Sequence, residues 1–219
     1  MQIQIIPRKI QNQSSEPLTV ARQCVQITAR PLRVLDFDIE NRPLSYLGSD
    51  FTTAEVTAIA WAWDNSSVVV RLLGEVDLVD ILREFVDAWN LADMVTGHYI
   101  KGHDIPMING ALMECGLPAL EDKLVQDTKC DLLNVKGISK SQESLGAMLA
   151  LEQPKVQMNQ SKWRAANRLT PEGLREVRER VTGDVKQHMA LRLELLKHGY
   201  LAQPKLWRSG TAKQEAYVP

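Results

Sequence analysis

The sequence predicts an α/β chain built on a central mixed five-stranded sheet with flanking helices. Three β-rich runs follow one another between Leu32 and Leu73, and helical stretches then alternate with two short apolar pieces, Met94-Val95-Thr96 and Leu124-Val125. At 219 residues with 44% hydrophobic positions, the chain can bury one sizeable core.

The elements follow in order. Residues 1–30 read as an N-terminal extension: Gln2 to Ile6 alternates polar and apolar, Gln11 to Pro17 is a polar linker, and Val20 to Ile27 is a candidate peripheral strand. Residues 31–200 form the body and 201–219 a tail. The first strand runs from Leu32 to Glu40 and is ended by Asn41-Arg42-Pro43. Glu55 to Trp63 and Ser67 to Leu73 pair as a hairpin through Asp64-Asn65-Ser66. Val79, Leu82, Val86 and Trp89 set a helix over Val76 to Leu91. Pro106 to Cys115 is a second helix, stopped by Gly116 and Pro118, and Ser144 to Leu151 a third. The longest helix opens with Thr170 as N-cap, Pro171 in the first turn and Glu172, and stops at Gly199. Leu174, Val177, Val181, Val185, Leu195 and Leu196 mark its buried face. From Gln203 the tail is polar and expected to fray.

Composition narrows the function. Twenty-six Lys+Arg against 27 Asp+Glu exclude a globally basic nucleic-acid coat, though not a local patch. No apolar run approaches the roughly 18 residues of a membrane span, and the start is too short and polar for a signal peptide. Cys24, Cys115 and Cys130 fit neither a disulfide framework nor a CxxC metal pattern. The expectation is a soluble, cytoplasmic chain with no membrane partner.

Three features do not fit a plain core. Asp36, Asp38 and Glu40 lie two apart on a strand, so their carboxylates share one face. Like charges side by side need a neutralising cation, unless this is simply a solvated strand end. Asp184 falls on the same side of the last helix as Val177, Val181 and His188. A carboxylate there needs a partner, which Arg180 four residues earlier could also supply. Gly183 beside it costs about 1 kcal/mol relative to alanine, which points to a close approach by metal or backbone. Third, Gly97-His98 through Gly102-His103-Asp104-Ile105-Pro106 presents Asp104 before a helix, where it could cap. The two histidines there lack further ligands at zinc-like spacing.

Together these segments resemble the DEDD superfamily of 3′–5′ exonucleases, notably the proofreading domains of family-B DNA polymerases and small stand-alone phage or bacterial relatives. Asp38-Ile39-Glu40 matches the first motif, Gly97-His98 to Asp104 the second, and Gly183-Asp184-Val185 the third; the likeness covers roughly residues 32–198. It implies a ribonuclease H-like fold, with residues 31–200 as the exonuclease domain. Some positions depart from the family. Tyr99 and His103 stand where Asn and Phe are common. Arg180 and Glu179 stand where a Tyr or His usually serves the attacking water. Arginine has no acceptor and stays protonated, so it is no base, though it could hold a phosphate. His188, one turn after Asp184, and His103 are the candidate replacements.

The resemblance implies a two-metal-ion mechanism. Asp38, Glu40, Asp104 and Asp184 would hold two Mg²⁺ or Mn²⁺ ions about 3.5–4 Å apart across a phosphodiester. Asp38 would bridge both ions, Glu40 and Asp184 would lie on the water side, and Asp104 would complete the outer site. The expected substrate is single-stranded DNA, with RNA as a rival, and a polymerase or other replication partner is possible. Lys162 and Trp163, in the acid-free stretch Lys155 to Arg168, together with Lys101 and Asn109 beside Asp104, are candidate nucleic-acid contacts. For the first pair the alternative is a solvated loop with Trp163 plugging the core. The competing function is a catalytically silent nucleic-acid-binding module.

Overall fold

The computed structural model describes residues 30–44, 51–64, 66–151 and 156–210. The N-terminal extension, Cys24 and the last nine residues lie outside them. Three strands come first, as the alternation requires: β1 (Val34–Pro43), β2 (Ala54–Trp63) and β3 (Val69–Leu72). Helix α1 (Leu78–Leu91), strand β4 (Met94–Gly97), helix α2 (Asp104–Glu114) and strand β5 (Lys123–Asp127) follow. Short helices α3 (Gln142–Met148) and α4 (Gln160–Asn167) lead to the long α5 (Pro171–Lys197) and a last strand β6 (Lys205–Trp207).

The sheet order is β3-β2-β1-β4-β5-β6. β1, β4 and β5 run parallel to one another, while β2, β3 and β6 are antiparallel to their neighbours. The mixed sheet is as expected but carries a sixth strand. β6 comes from the tail that polarity marked as frayed. Three residues are too few to show a period. What anchors them is tertiary: Trp207 lies edge-on to Trp89 of α1, ring centroids 5.9 Å apart. Leu201 just before it is buried and bridges to Leu132.

Helix α4 is a second departure, since this basic stretch has almost no apolar periodicity. Asn159 caps it by accepting the Lys162 N–H at 2.9 Å. Gly173 of α5 fits against it so closely that a Cβ there would lie 2.3 Å from the carbonyl carbon of Ala165. Helix α2 starts two residues earlier than predicted. Pro106 is thereby placed in the first turn, where its missing N–H costs nothing. The caps of α5 are as predicted: Thr170 accepts the Gly173 N–H at 3.1 Å, and Gly199 follows at φ +70°. Leu196 is the exception on its apolar face. It is exposed because neighbouring Leu195 takes the buried side.

Each sheet face has its own core. Leu35, Phe37 and Ile39 of β1 join Ile59 and Trp61 of β2 against α1 and α2, with Phe37 and Phe85 ring centroids 5.1 Å apart. On the other face, Ala58, Ala60 and Ala62 of β2 and Val70 and Leu72 of β3 meet Val177, Val181 and Val185 of α5. The acids of β1 face that second side.

Candidate active site

The register of β1 against β2 makes room for the acids. Asp36 stands opposite Ala62, Asp38 opposite Ala60 and Glu40 opposite Ala58. Directly opposed residues share a face, so each carboxylate has a methyl group rather than a bulky side chain as its cross-strand neighbour. That face can therefore accept a helix lying close to it.

Helix α5 supplies the matching groups in step. Four helical residues advance about 6 Å and two strand residues about 6.7 Å, so one helical turn keeps pace with every second strand position. Arg180 meets Glu40, with Nε 2.6 Å from Oε1, and one turn on Asp184 joins Asp38 and Glu40. A further turn brings His188 Nδ1 to 2.9 Å from Asp36 Oδ1. The last is an approach at ion-pair distance rather than an aligned hydrogen bond, since neither atom has a bonding partner of good geometry.

Asp38, Glu40 and Asp184 form the one group of three or more metal-ligand side chains among the described residues. One oxygen from each lies within 4.8 Å of the others, and Asp184 is buried. The solvated-strand-end alternative for these acids does not hold. The Arg180–Asp184 pairing is present as well, at 3.6 Å. Gly183, in contrast, has no close neighbour to explain it: a Cβ there would meet only Val156 at an ordinary 3.5 Å.

Asp104 arrives from the second motif. β4 pairs with β1 only over Val34 to Asp36, which leaves the edge of β1 open beyond it. Asp104 Oδ1 accepts the Ile39 N–H there at 3.2 Å, and the N-cap position of α2 falls to His103. Burial pushes the Asp104 carboxyl up to about 7, with the charges of Asp127 and Glu40 adding to the effect against the opposing backbone hydrogen bonds. Asp104 is thus beside the strand that carries Asp38 and Glu40, outside the three-carboxylate group.

Two features hold this loop in place. Asp127, at the end of β5, escaped sequence reasoning. Its Oδ1 accepts the N–H groups of Tyr99, Lys129 and Cys130, and its Oδ2 that of Lys101. Burial opposes its ionisation, but these four N–H groups outweigh burial and hold its pKa below the ordinary carboxylate range. The only signal in the sequence was an acid at a strand end. Gly97 is the second feature. A Cβ on it would come within 2.7 Å of the Phe37 carbonyl oxygen and 2.3 Å of Ile100 Cγ2. Gly97→Ala is therefore expected to cost about 1–3 kcal/mol of unfolding free energy. Urea denaturation measures this, and an unchanged midpoint would refute the packing reading.

The other candidate residues are occupied in various ways. Lys101 Nζ is 2.7 Å from both oxygens of Asp131, and the Asn109 side chain accepts the Leu120 N–H at 3.0 Å. Lys162 pairs with Glu176 at 2.6 Å. Trp163 packs into the α5 face of the core and under Arg180, whose guanidinium carbon is 5.3 Å from the ring centroid. His103 reaches Asn41, and Glu179 is exposed. His188 is taken to Asp36 rather than to the three acids. His98, near it, is bonded to Thr128 Oγ1, and burial holds its pKa down at about 4, with neighbouring His188 acting in the same direction.

Among solved structures the chain is similar to the family B DNA polymerase from the hyperthermophilic archaeon Pyrobaculum calidifontis. The TM-score is 0.57 at 19% identity, over 76% of this chain. The fold is ribonuclease H-like. The chain spans only a quarter of that polymerase's length. No family model and no curated protein sequence matches it. No helix among the described residues is long and apolar enough to cross a membrane.

Proposed function

We propose that this chain is a metal-dependent 3′–5′ exonuclease that hydrolyses phosphodiester bonds at single-stranded DNA ends. One observation carries the reading: Asp38, Glu40 and Asp184, from segments far apart in sequence, converge within 4.8 Å on a ribonuclease H-like fold. The donor set is all carboxylate oxygen, which suits Mg²⁺ or Mn²⁺ and not zinc. Asp38, Glu40 and Asp184 would hold the cation, with Asp104 contributing to a second ion directly or through water. Bound there, a divalent cation supplies charge stabilisation on the phosphate and lowers the pKa of bound water.

The rest of the chemistry belongs to the side chains. Asp127 and Gly97 fix the loop that delivers Asp104. Trp163 would stack an end base once Arg180 leaves its ring. Arg180 is a guanidinium at the cluster, suited to a phosphate oxygen. His188, held on Asp36, is assigned a supporting role rather than that of the base. The reading places the activity in residues 31–200 and extends to a nucleic-acid partner in replication or repair.

The test uses 5′-labelled single-stranded DNA and RNA of one sequence with Mg²⁺, Mn²⁺ or EDTA. The expected result is a ladder shortening from the 3′ end of DNA, abolished by EDTA. A ladder on RNA alone would make the enzyme a ribonuclease. Binding without shortening in either metal would overturn the activity and leave a nucleic-acid-binding module.

A further inference from the structure

We infer that Arg180 is a built-in counter-cation that competes with divalent metal for Glu40 and Asp184. This rests on the metal-binding reading above and adds a regulator to it.

Arg180 is held on four sides. Nε donates to Glu40 Oε1 at 2.6 Å, and Nη2 lies 3.6 Å from Asp184 Oδ2. Nη1 donates to the Val156 carbonyl at 2.8 Å, and the guanidinium lies over the Trp163 ring. Its side chain is only 15% exposed, so these contacts are poorly screened. Two of the three candidate ligands are thus already in contact with a fixed positive charge.

The consequence is competition: a divalent cation gains full access to Glu40 and Asp184 only when the guanidinium withdraws. Trp163 and the Val156 carbonyl bind the other side of Arg180, so withdrawal also loosens its contact with α4. An incoming phosphate gives the guanidinium an alternative partner, which would couple full metal loading to the presence of substrate.

The experiment titrates Mn²⁺ alone into the full chain by calorimetry, with electron paramagnetic resonance counting bound ions. The proteins are the wild type, Arg180→Gln, Arg180→Lys and Asp38→Asn. Removing a fixed positive charge that touches two of the ligands is expected to let Arg180→Gln bind Mn²⁺ about tenfold more tightly or better. Arg180→Lys keeps the charge but loses the fork, and falls between wild type and Arg180→Gln. A merely structural role predicts the opposite sign, because a loosened site binds metal less well. If Arg180→Gln does not fold, Arg180→Lys must still bind more tightly than wild type. Affinity unchanged or weaker in these variants, with wild-type binding abolished by Asp38→Asn, overturns the role of Arg180 and spares the metal site. No Mn²⁺ binding by wild type or either Arg180 variant overturns both.

Discussion

Asp38→Asn is expected to lower Mg²⁺-dependent cleavage of single-stranded DNA by at least a hundredfold while leaving the fold intact. Asp38 is central among the acids: Asp36 and Glu40 flank it on the same face of β1, and Asp184 meets it from α5. Asparagine keeps the size and one oxygen but removes the charge that would hold the cation against a phosphate. Removing a single preorganised electrostatic contact in other enzymes costs roughly 10²–10³ in turnover, and a bridging ligand should cost no less. Asparagine nearly matches aspartate in volume and Ala60 is the cross-strand neighbour, so packing should not change. The checks are single-turnover cleavage rates beside circular dichroism melts. A variant that retains more than about a tenth of the wild-type rate would remove Asp38 from the mechanism.

Asp104→Asn is expected to stabilise the protein in EDTA at pH 8, and to do so hardly at all at pH 4. The folded carboxyl has its pKa raised to about 7 by burial, against roughly 3.9 in an unfolded chain. Between those values the folded protein binds the extra proton, so stability falls as pH rises and the full cost is present above about pH 7. That cost is on the order of 4 kcal/mol, from about three pKa units at 1.36 kcal/mol each. Asparagine carries no charge, and its side-chain oxygen can still accept the Ile39 N–H. His98 has the opposite pH dependence. Its pKa is lowered to about 4, so its contribution is complete above about pH 6.5 and is lost as pH falls toward 4. Both proteins contain His98, so their difference isolates Asp104. Urea unfolding across the pH range measures it. Equal stability of the two proteins at pH 8 would show that Asp104 carries no buried charge there.

The second motif shows how far a pattern can go. The glycine, the histidine and the aspartate of that loop were visible as residue types, but the purpose of Gly97 is a distance to the Phe37 carbonyl oxygen, and that atom belongs to another strand. Asp127 is silent in the sequence for the same reason. It acts through four backbone N–H groups, and backbone donors leave no mark in a sequence. The alanines of β2 were legible in principle. Ala58, Ala60 and Ala62 alternate with Ile59, Trp61 and Trp63, which separates a small-residue face from a bulky one.

Local patterning by itself determined the three leading strands, the first and last long helices with the caps of the latter, and the shared face of Asp36, Asp38 and Glu40. These follow from periods of two and 3.6 residues and from capping chemistry, which act over a few neighbours. Tertiary structure decided the rest: β6, the helical state of the basic stretch before α5, and the partner of every acid. Arg180 went to Glu40, His188 to Asp36 and Asp104 to the open edge of β1. Such choices depend on how a helix is set against a sheet, and that setting is fixed by alanine-lined packing between residues more than a hundred positions apart.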